Sequence, residues 1–229
     1  MTTKTAILIP ARYASTRFPG KPLTRLGNKT MIETVYEKCL ATGYDTYVLT
    51  DDMRIFELFD ARSCWIEPEI EYANGTERCA DAITNSFFNE YSKFINVQGD
   101  MPDVTEEMID KCVRHLAHYS VTTMCTAMPE EHQNDPNTVK LVRAADKCLW
   151  FGRGMTGYGD WHLGIYGYRR NALGMYRNLS SYKEERIEEL EQLRWLKNGY
   201  DIGVFPCEFN GIEINSPEDA NKWCTTSSQ

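Results

Sequence analysis

Ala6-Ile7-Leu8-Ile9-Pro10-Ala11-Arg12-Tyr13-Ala14-Ser15-Thr16-Arg17-Phe18-Pro19-Gly20-Lys21-Pro22-Leu23 runs an apolar segment straight into a cationic loop. The spacing predicts a buried strand over 6–9, and the loop after it is built like a polyphosphate site. Gly20 permits close backbone approach to a ligand, while Pro19 and Pro22 stiffen the turn. Arg12, Arg17 and Lys21 supply positive charge, and an arginine can fork onto phosphate oxygens. Taken alone, the same stretch reads equally well as an ordinary basic turn. It contains neither GxxxxGK nor GxGxxG, so it is neither a Walker loop nor a dinucleotide fingerprint.

Working outward, short β-rich runs alternate with helical patterns. Strands are predicted over 6–9, 46–50, 64–66 and 94–97, with helices over 30–42, 53–60, 77–91 and 106–117. That alternation predicts an α/β fold with a mainly parallel sheet. The second half is less regular, with strands over 121–127, 138–142, 148–151 and 162–168. A long helix over 183–198 follows, stopped by Gly199. A strand over 203–206 and a helix opened by Ser216 and Pro217 close the chain. No repeat or flexible linker divides it, so one domain is expected over 1–229. Its more regular first part would span about 1–120 and its less regular second part about 121–200. In an open parallel sheet ligands sit beyond the carboxyl ends of the strands. The first loop, Asp51-Asp52 and Gln98-Gly99-Asp100 all fall there.

Composition narrows the function. With 229 residues the chain is long enough to bury a sizeable core. A net charge of -8 argues against a nucleic-acid partner. The first apolar run breaks at Pro10, and no stretch has membrane-spanning length, so neither a secretion signal nor a membrane is expected. The eight cysteines form no CxxC pair and no cluster with histidine. They read as reduced, core-filling thiols of a cytoplasmic protein rather than zinc ligands.

Several segments carry possible chemistry. Asn96-Val97-Gln98-Gly99-Asp100 ends a strand in a carboxylate, which suits either a divalent ion on a nucleotide or a simple turn. Asn74-Gly75-Thr76-Glu77-Arg78 leads a helix, so Thr76 reads as a cap and Gly75 as a place for a base edge to approach. Lys140 reads as a solvated lysine at a strand edge. At about 100° per residue, Glu185, Glu188 and Gln192 share an arc of about 60° on the predicted long helix.

Taken in order, these segments resemble the CMP-Kdo synthetases, the 3-deoxy-manno-octulosonate (Kdo) cytidylyltransferases. The opening resembles that family's IPARYxSxRxPGKPL. Gln98-Gly99-Asp100, Asp135-Pro136-Asn137-Thr138-Val139-Lys140, His162-Leu163-Gly164-Ile165-Tyr166 and Leu190-Glu191-Gln192-Leu193-Arg194 follow in register from residue 8 to residue 219. The resemblance implies a three-layer Rossmann-like nucleotidyltransferase fold with a smaller β-rich subregion, and a reaction between CTP and an ulosonic acid. Pro10, Ala11, Arg12, Ser15, Lys21, Asn74, Gly75, Thr76 and Arg78 would hold the nucleotide. Arg12, Lys21 and Asp100 would act on the phosphates. Gln98, Arg153, His162, Tyr166, Glu185 and Gln192 would hold the sugar, with Arg153 on its carboxylate. The resemblance further implies a nucleotide-binding part over about 1–120 and a sugar-binding and dimer part over about 121–200. It also implies Mg²⁺ on Asp100 and on the residue at 215, and a homodimer whose contact segment is shortened here.

Five departures qualify the resemblance, one being Asn74 where the family has serine. Asn215 stands where the family has a second metal-binding aspartate, and Glu213 is expected to supply part of the missing charge. Gly152 replaces a serine, Met101 replaces a commonly acidic residue, and 154–161 is a contracted segment. The alternatives implied are a CMP-synthetase for an amino-Kdo or sialic-type acid, or a nucleotide-sugar-binding protein without turnover.

Overall fold

The computed structural model describes residues 4–14 and 18–226. The strands are β1 (Lys4–Ala11), β2 (Arg25–Leu26), β3 (Lys29–Thr30), β4 (Asp45–Thr50), β5 (Cys64–Ile66) and β6 (Tyr91–Val97). They continue with β7 (Val121–Thr126), β8 (Lys140–Ala144), β9 (Lys147–Gly152), β10 (Asp160–Arg169) and β11 (Ile202–Pro206). The helices are α1 (Met31–Leu40), α2 (Met53–Phe56), α3 (Gly75–Ala82), α4 (Glu106–His115), α5 (Arg170–Met175), α6 (Lys183–Glu188), α7 (Gln192–Lys197) and α8 (Pro217–Thr226).

One nine-stranded sheet runs in the order β5-β4-β1-β6-β10-β7-β11-β9-β8. Strands β5, β4, β1 and β6 are mutually parallel, as the βα alternation predicts. The expectation of a mainly parallel sheet fails beyond them. Strand β10 enters antiparallel to both β6 and β7, and β9 is antiparallel to β8 and β11, so the sheet is mixed. The β-rich second half therefore extends the main sheet rather than forming one of its own.

Alternation along β1 builds the layers. Ala6 and Leu8 enter an apolar cluster with Cys79 and Ala80 of α3, Leu173 of α5 and Trp195 of α7. Ile7 and Ile9 point the other way, to Ile32 and Val35 of α1 and Ile109 and Cys112 of α4. A strand buried on both faces must be apolar at every position, which is why residues 6–9 hold no polar side chain. All eight cysteines are unpaired, and burial pushes the thiols of Cys64, Cys112 and Cys125 up to about 12. They are packing groups.

Local signals set most helix starts. Thr30 and Glu33 form a reciprocal capping box on α1, and Ser216 with Asp219 does the same for α8. Three predicted helices come out shorter. The 53–60 pattern yields only α2, and 77–91 stops at Ala82, after which Asn85 caps a separate tight turn over Ser86–Phe88 before β6 opens at Tyr91. The single helix over 183–198 is two. Glu189 sits in the left-handed region at φ 52°, between α6 and α7. Leu190 and Leu193 are buried beyond the break while Ile187 is 76% exposed before it, so the break re-aims the apolar face.

Candidate active site

Because β1, β4 and β6 are parallel, Pro10, Asp51 and Gln98 reach the same sheet edge. Antiparallel β10 brings its first residues there, and Gln98 N donates to Gly164 O at 3.1 Å. The result is a cleft of roughly 640 Å³ above that edge. Two glycines make the close approaches possible. A Cβ on Gly75 would stand 3.0 Å from Pro10, and one on Gly164 would stand 3.1 Å from the Gln98 carboxamide.

The first loop forms one wall, with Pro10, Ala11, Arg12 and Lys21 lining the cleft. Ser15 lies outside the described residues. Lys21 Nζ donates to Asp100 Oδ2 at 2.6 Å, with both groups largely shielded. The loop is held by contacts that sequence reading missed. Tyr13 N donates to Asp51 Oδ1 at 3.2 Å, Gly20 N donates to Tyr13 O at 3.2 Å, and the Arg54 guanidinium lies 3.4 Å from the Tyr13 ring centre. Arg54 is in turn held by both oxygens of Asp52. Only the doublet Asp51-Asp52 at a strand end hinted at this clamp.

Asn74, Gly75 and Arg78 form the next wall. The helix cap is Asn74, not Thr76: Asn74 Oδ1 accepts from Glu77 N at 2.9 Å. Thr76 is fully buried and turned from the cleft, bonded to Glu191 and to the Tyr168 hydroxyl. Its expected place among the ligand contacts is not where the structure puts it. Glu191, unforeseen as a structural partner, has its carboxyl pushed up by burial against the opposing pull of those Thr76 bonds. Arg78 gives Nη2 to Asp51 Oδ2 at 2.9 Å, while its buried Nη1 has no partner among the described residues. An unsatisfied buried N–H lining a cleft is oriented for an acceptor there.

At the far end lie Gln98, Arg153, His162, Tyr166, Glu185 and Gln192. Arg153 is fixed through its backbone N to Glu188 Oε2 at 2.7 Å, Nε to Glu188 O at 3.1 Å, and Nη1 to Asn137 O at 2.6 Å. His162 meets Thr123 Oγ1 at 3.1 Å, and burial beside the Arg153 charge drives its pKa down to about 3. The imidazole is therefore neutral and able only to exchange hydrogen bonds. Glu185 lines the cleft, but both its oxygens are taken by Arg194. Lys140 is not solvated: it is fully buried and ties the carbonyls of Asp135 and Arg153 together.

Glu213 and Asn215 face the same cleft from an irregular segment between β11 and α8. Ile214 N donates to Asp100 O at 3.0 Å, which sets this segment beside Asp100. Burial and the Asp100 charge raise Glu213 to about 7, although Gly164 N donates to its Oε1 at 3.2 Å. Among the described residues no three His, Cys, Asp or Glu side chains form a metal cage. Two carboxylates and an amide oxygen instead suit a hard divalent ion that takes its other ligands from phosphate and water.

Cations at a strand end, carboxylates opposite them and a polar far end make a cleft suited to a polyphosphate ligand joined to a polar one. The family described as Cytidylyltransferase matches residues 6–202. The chain is 39% identical to the 8-amino-3,8-dideoxy-manno-octulosonate cytidylyltransferase of Shewanella halifaxensis (strain HAW-EB4), covering 93% of this chain and 94% of that one. It is 37% identical to the 3-deoxy-manno-octulosonate cytidylyltransferase of Leptospira interrogans, covering 93% and 91%. A solved CMP:2-keto-3-deoxy-manno-octonic acid synthetase complexed with CTP superposes with a TM-score of 0.87 at 31% identity, over 99% of both chains. The chain belongs to the cytidylyltransferase family.

Proposed function

We propose that the protein couples CTP to a 3-deoxy-ulosonic acid, Kdo or a close relative, giving the CMP-sugar and pyrophosphate. The observation that carries this reading is the single cleft joining a cationic strand-end loop to a polar far end where His162, Tyr166 and Gln192 lie around Arg153. The sugar's anomeric oxygen attacks the α-phosphorus in line. A new O–P bond forms, the bond to the α–β bridging oxygen breaks, pyrophosphate leaves, and the hydroxyl proton passes to solvent. No protein nucleophile is required, so the chain contributes positioning and charge.

Arg12 and Lys21 hold the phosphates, while Gly75 and Arg78 face the nucleoside. Arg153 takes the acid's carboxylate, and His162, Tyr166, Gln98 and Gln192 take its hydroxyls. Asp100, with Glu213 and Asn215, would hold Mg²⁺, which when bound offsets charge on the phosphate oxygens. Lys21, paired with Asp100 here, is also within the cleft to meet phosphate, so Asp100 could hold the ion while Lys21 holds the triphosphate. A Rossmann-like nucleotide fold, a cytoplasmic location and a homodimer belong to the same reading.

The 8-amino acid is the second reading, because relatives at similar identity carry both names. Pyrophosphate release from CTP and Mg²⁺, with Kdo, its 8-amino analogue or a sialic acid in parallel, tests it. Turnover with either octulosonate supports the reading and ranks the two acids. Tight CTP binding without release on any acid would replace it with a binding protein.

A further inference from the structure

Asn96 lies in β6 with its side chain 1% exposed, and neither its Oδ1 nor its Nδ2 has a hydrogen-bond partner among the described residues. It nonetheless lines the cleft. An unpaired buried polar group is costly, and folded proteins keep few of them. Here both ends of one carboxamide are open, two residues before Gln98 and four before Asp100.

Register places this amide. Asn96 stands opposite Tyr166 in the antiparallel β6–β10 pair, so the two side chains share a face of the sheet. Gln98, two residues on, shares it too. The Tyr166 ring leans on that of His162 with centroids 5.3 Å apart. Asn96 thus forms part of the cleft floor, between Leu8 of β1 on one side and Tyr166 of β10 on the other.

The chemistry of the amide selects its ligand. Phosphate oxygens answer only its donor, and a cation answers only its acceptor. A hydroxyl, which both donates and accepts, answers both, as a pyrimidine edge also does. The place opposite Tyr166, on the His162 side, favours the acid, and unequal KM effects on acid and CTP tell the two apart. We propose that Asn96 is a specificity-determining residue that reads a hydroxyl of the polyhydroxylated acid at the floor of the cleft. This rests on the ulosonic-acid reading above.

Asn96→Leu nearly keeps the volume and removes both polar atoms, which separates a reading role from a structural one. The ligand-free variant melts about 2–4 °C higher, because an unpaired amide has left the interior. Its KM for the acid rises about tenfold or more, while its KM for CTP stays within about twofold. Asn96→Ala shows the same split in KM and serves if the leucine variant fails to fold. A variant that turns over with an unmoved KM for the acid would overturn the inference, since the amide would then be serving the fold or a retained water. Wild-type protein that releases pyrophosphate with no ulosonic acid would instead bring down the function itself, and this inference with it.

Discussion

Glu213 shows how a single carboxylate links the charge of the cleft to stability. Its pKa is raised by burial and by Asp100, so the folded protein holds a proton that the unfolded chain releases. Its contribution is most favourable below the ordinary glutamate range and is lost as pH rises toward 7. Glu213→Gln is therefore expected to gain melting temperature over the wild type progressively between pH 5 and pH 8. A constant difference across that range would contradict the burial argument. His162 has the opposite sign. Its depressed pKa means that the fold is fully supported above about 6.5 and loses support as pH falls toward 3. Melts of His162→Gln should lose less stability than the wild type between pH 7 and pH 5. At this scale the sequence was a partial guide. The positions of Arg12, Lys21, Gln98 and Asp100 followed from a strand running into a loop. The burial of Lys140 and Thr76 did not, because their partners Arg153 and Glu191 are remote in the chain.

At the scale of elements, the junction between α6 and α7 bears the clearest strain. Glu189 adopts a left-handed conformation that disfavours a side chain, and glycine does not share that penalty. Glu189→Gly is expected to stabilise the protein by about 0.5–1 kcal/mol in urea titrations. Equal or lower stability would show that the carboxylate carries a compensating contact. No local feature announced this break, since residues 183–198 are good helix formers. It is imposed by Glu188 reaching Arg153 N and by Leu190 N turning back to Glu185 O at 3.1 Å. Tertiary contacts overrode propensity there. The clamp on the first loop is a second case. Asp51 serves Tyr13 and Arg78 together, so Asp51→Asn should loosen the loop and leave a buried guanidinium poorly paired. The expected outcome is roughly 1–3 kcal/mol of lost stability and a raised KM for CTP, with KM for the acid little changed. Equal effects on both KM values would argue against a role confined to the nucleotide end.

Across the whole molecule, the parallel half was legible because βα alternation and two-faced burial leave a plain pattern. The mixed half was not, since nothing within 160–169 states that β10 inserts antiparallel between β6 and β7. That insertion matters for function, because it carries His162 and Gly164 to the strand ends where the nucleotide side already stands. A cleft assembled from both halves should also couple ligand to fold. CTP at a hundred times its Kd is expected to add about 2.7 kcal/mol to global stability. The central claim concerns the bond made in that cleft. ³¹P NMR of the protein with CTP, Mg²⁺ and Kdo or its 8-amino analogue reads it directly. The account predicts that the CTP resonances give way to pyrophosphate and one phosphodiester signal in equal amounts, only when the acid is present. Unchanged CTP with both acids, or hydrolysis to CMP without a sugar phosphodiester, would contradict it.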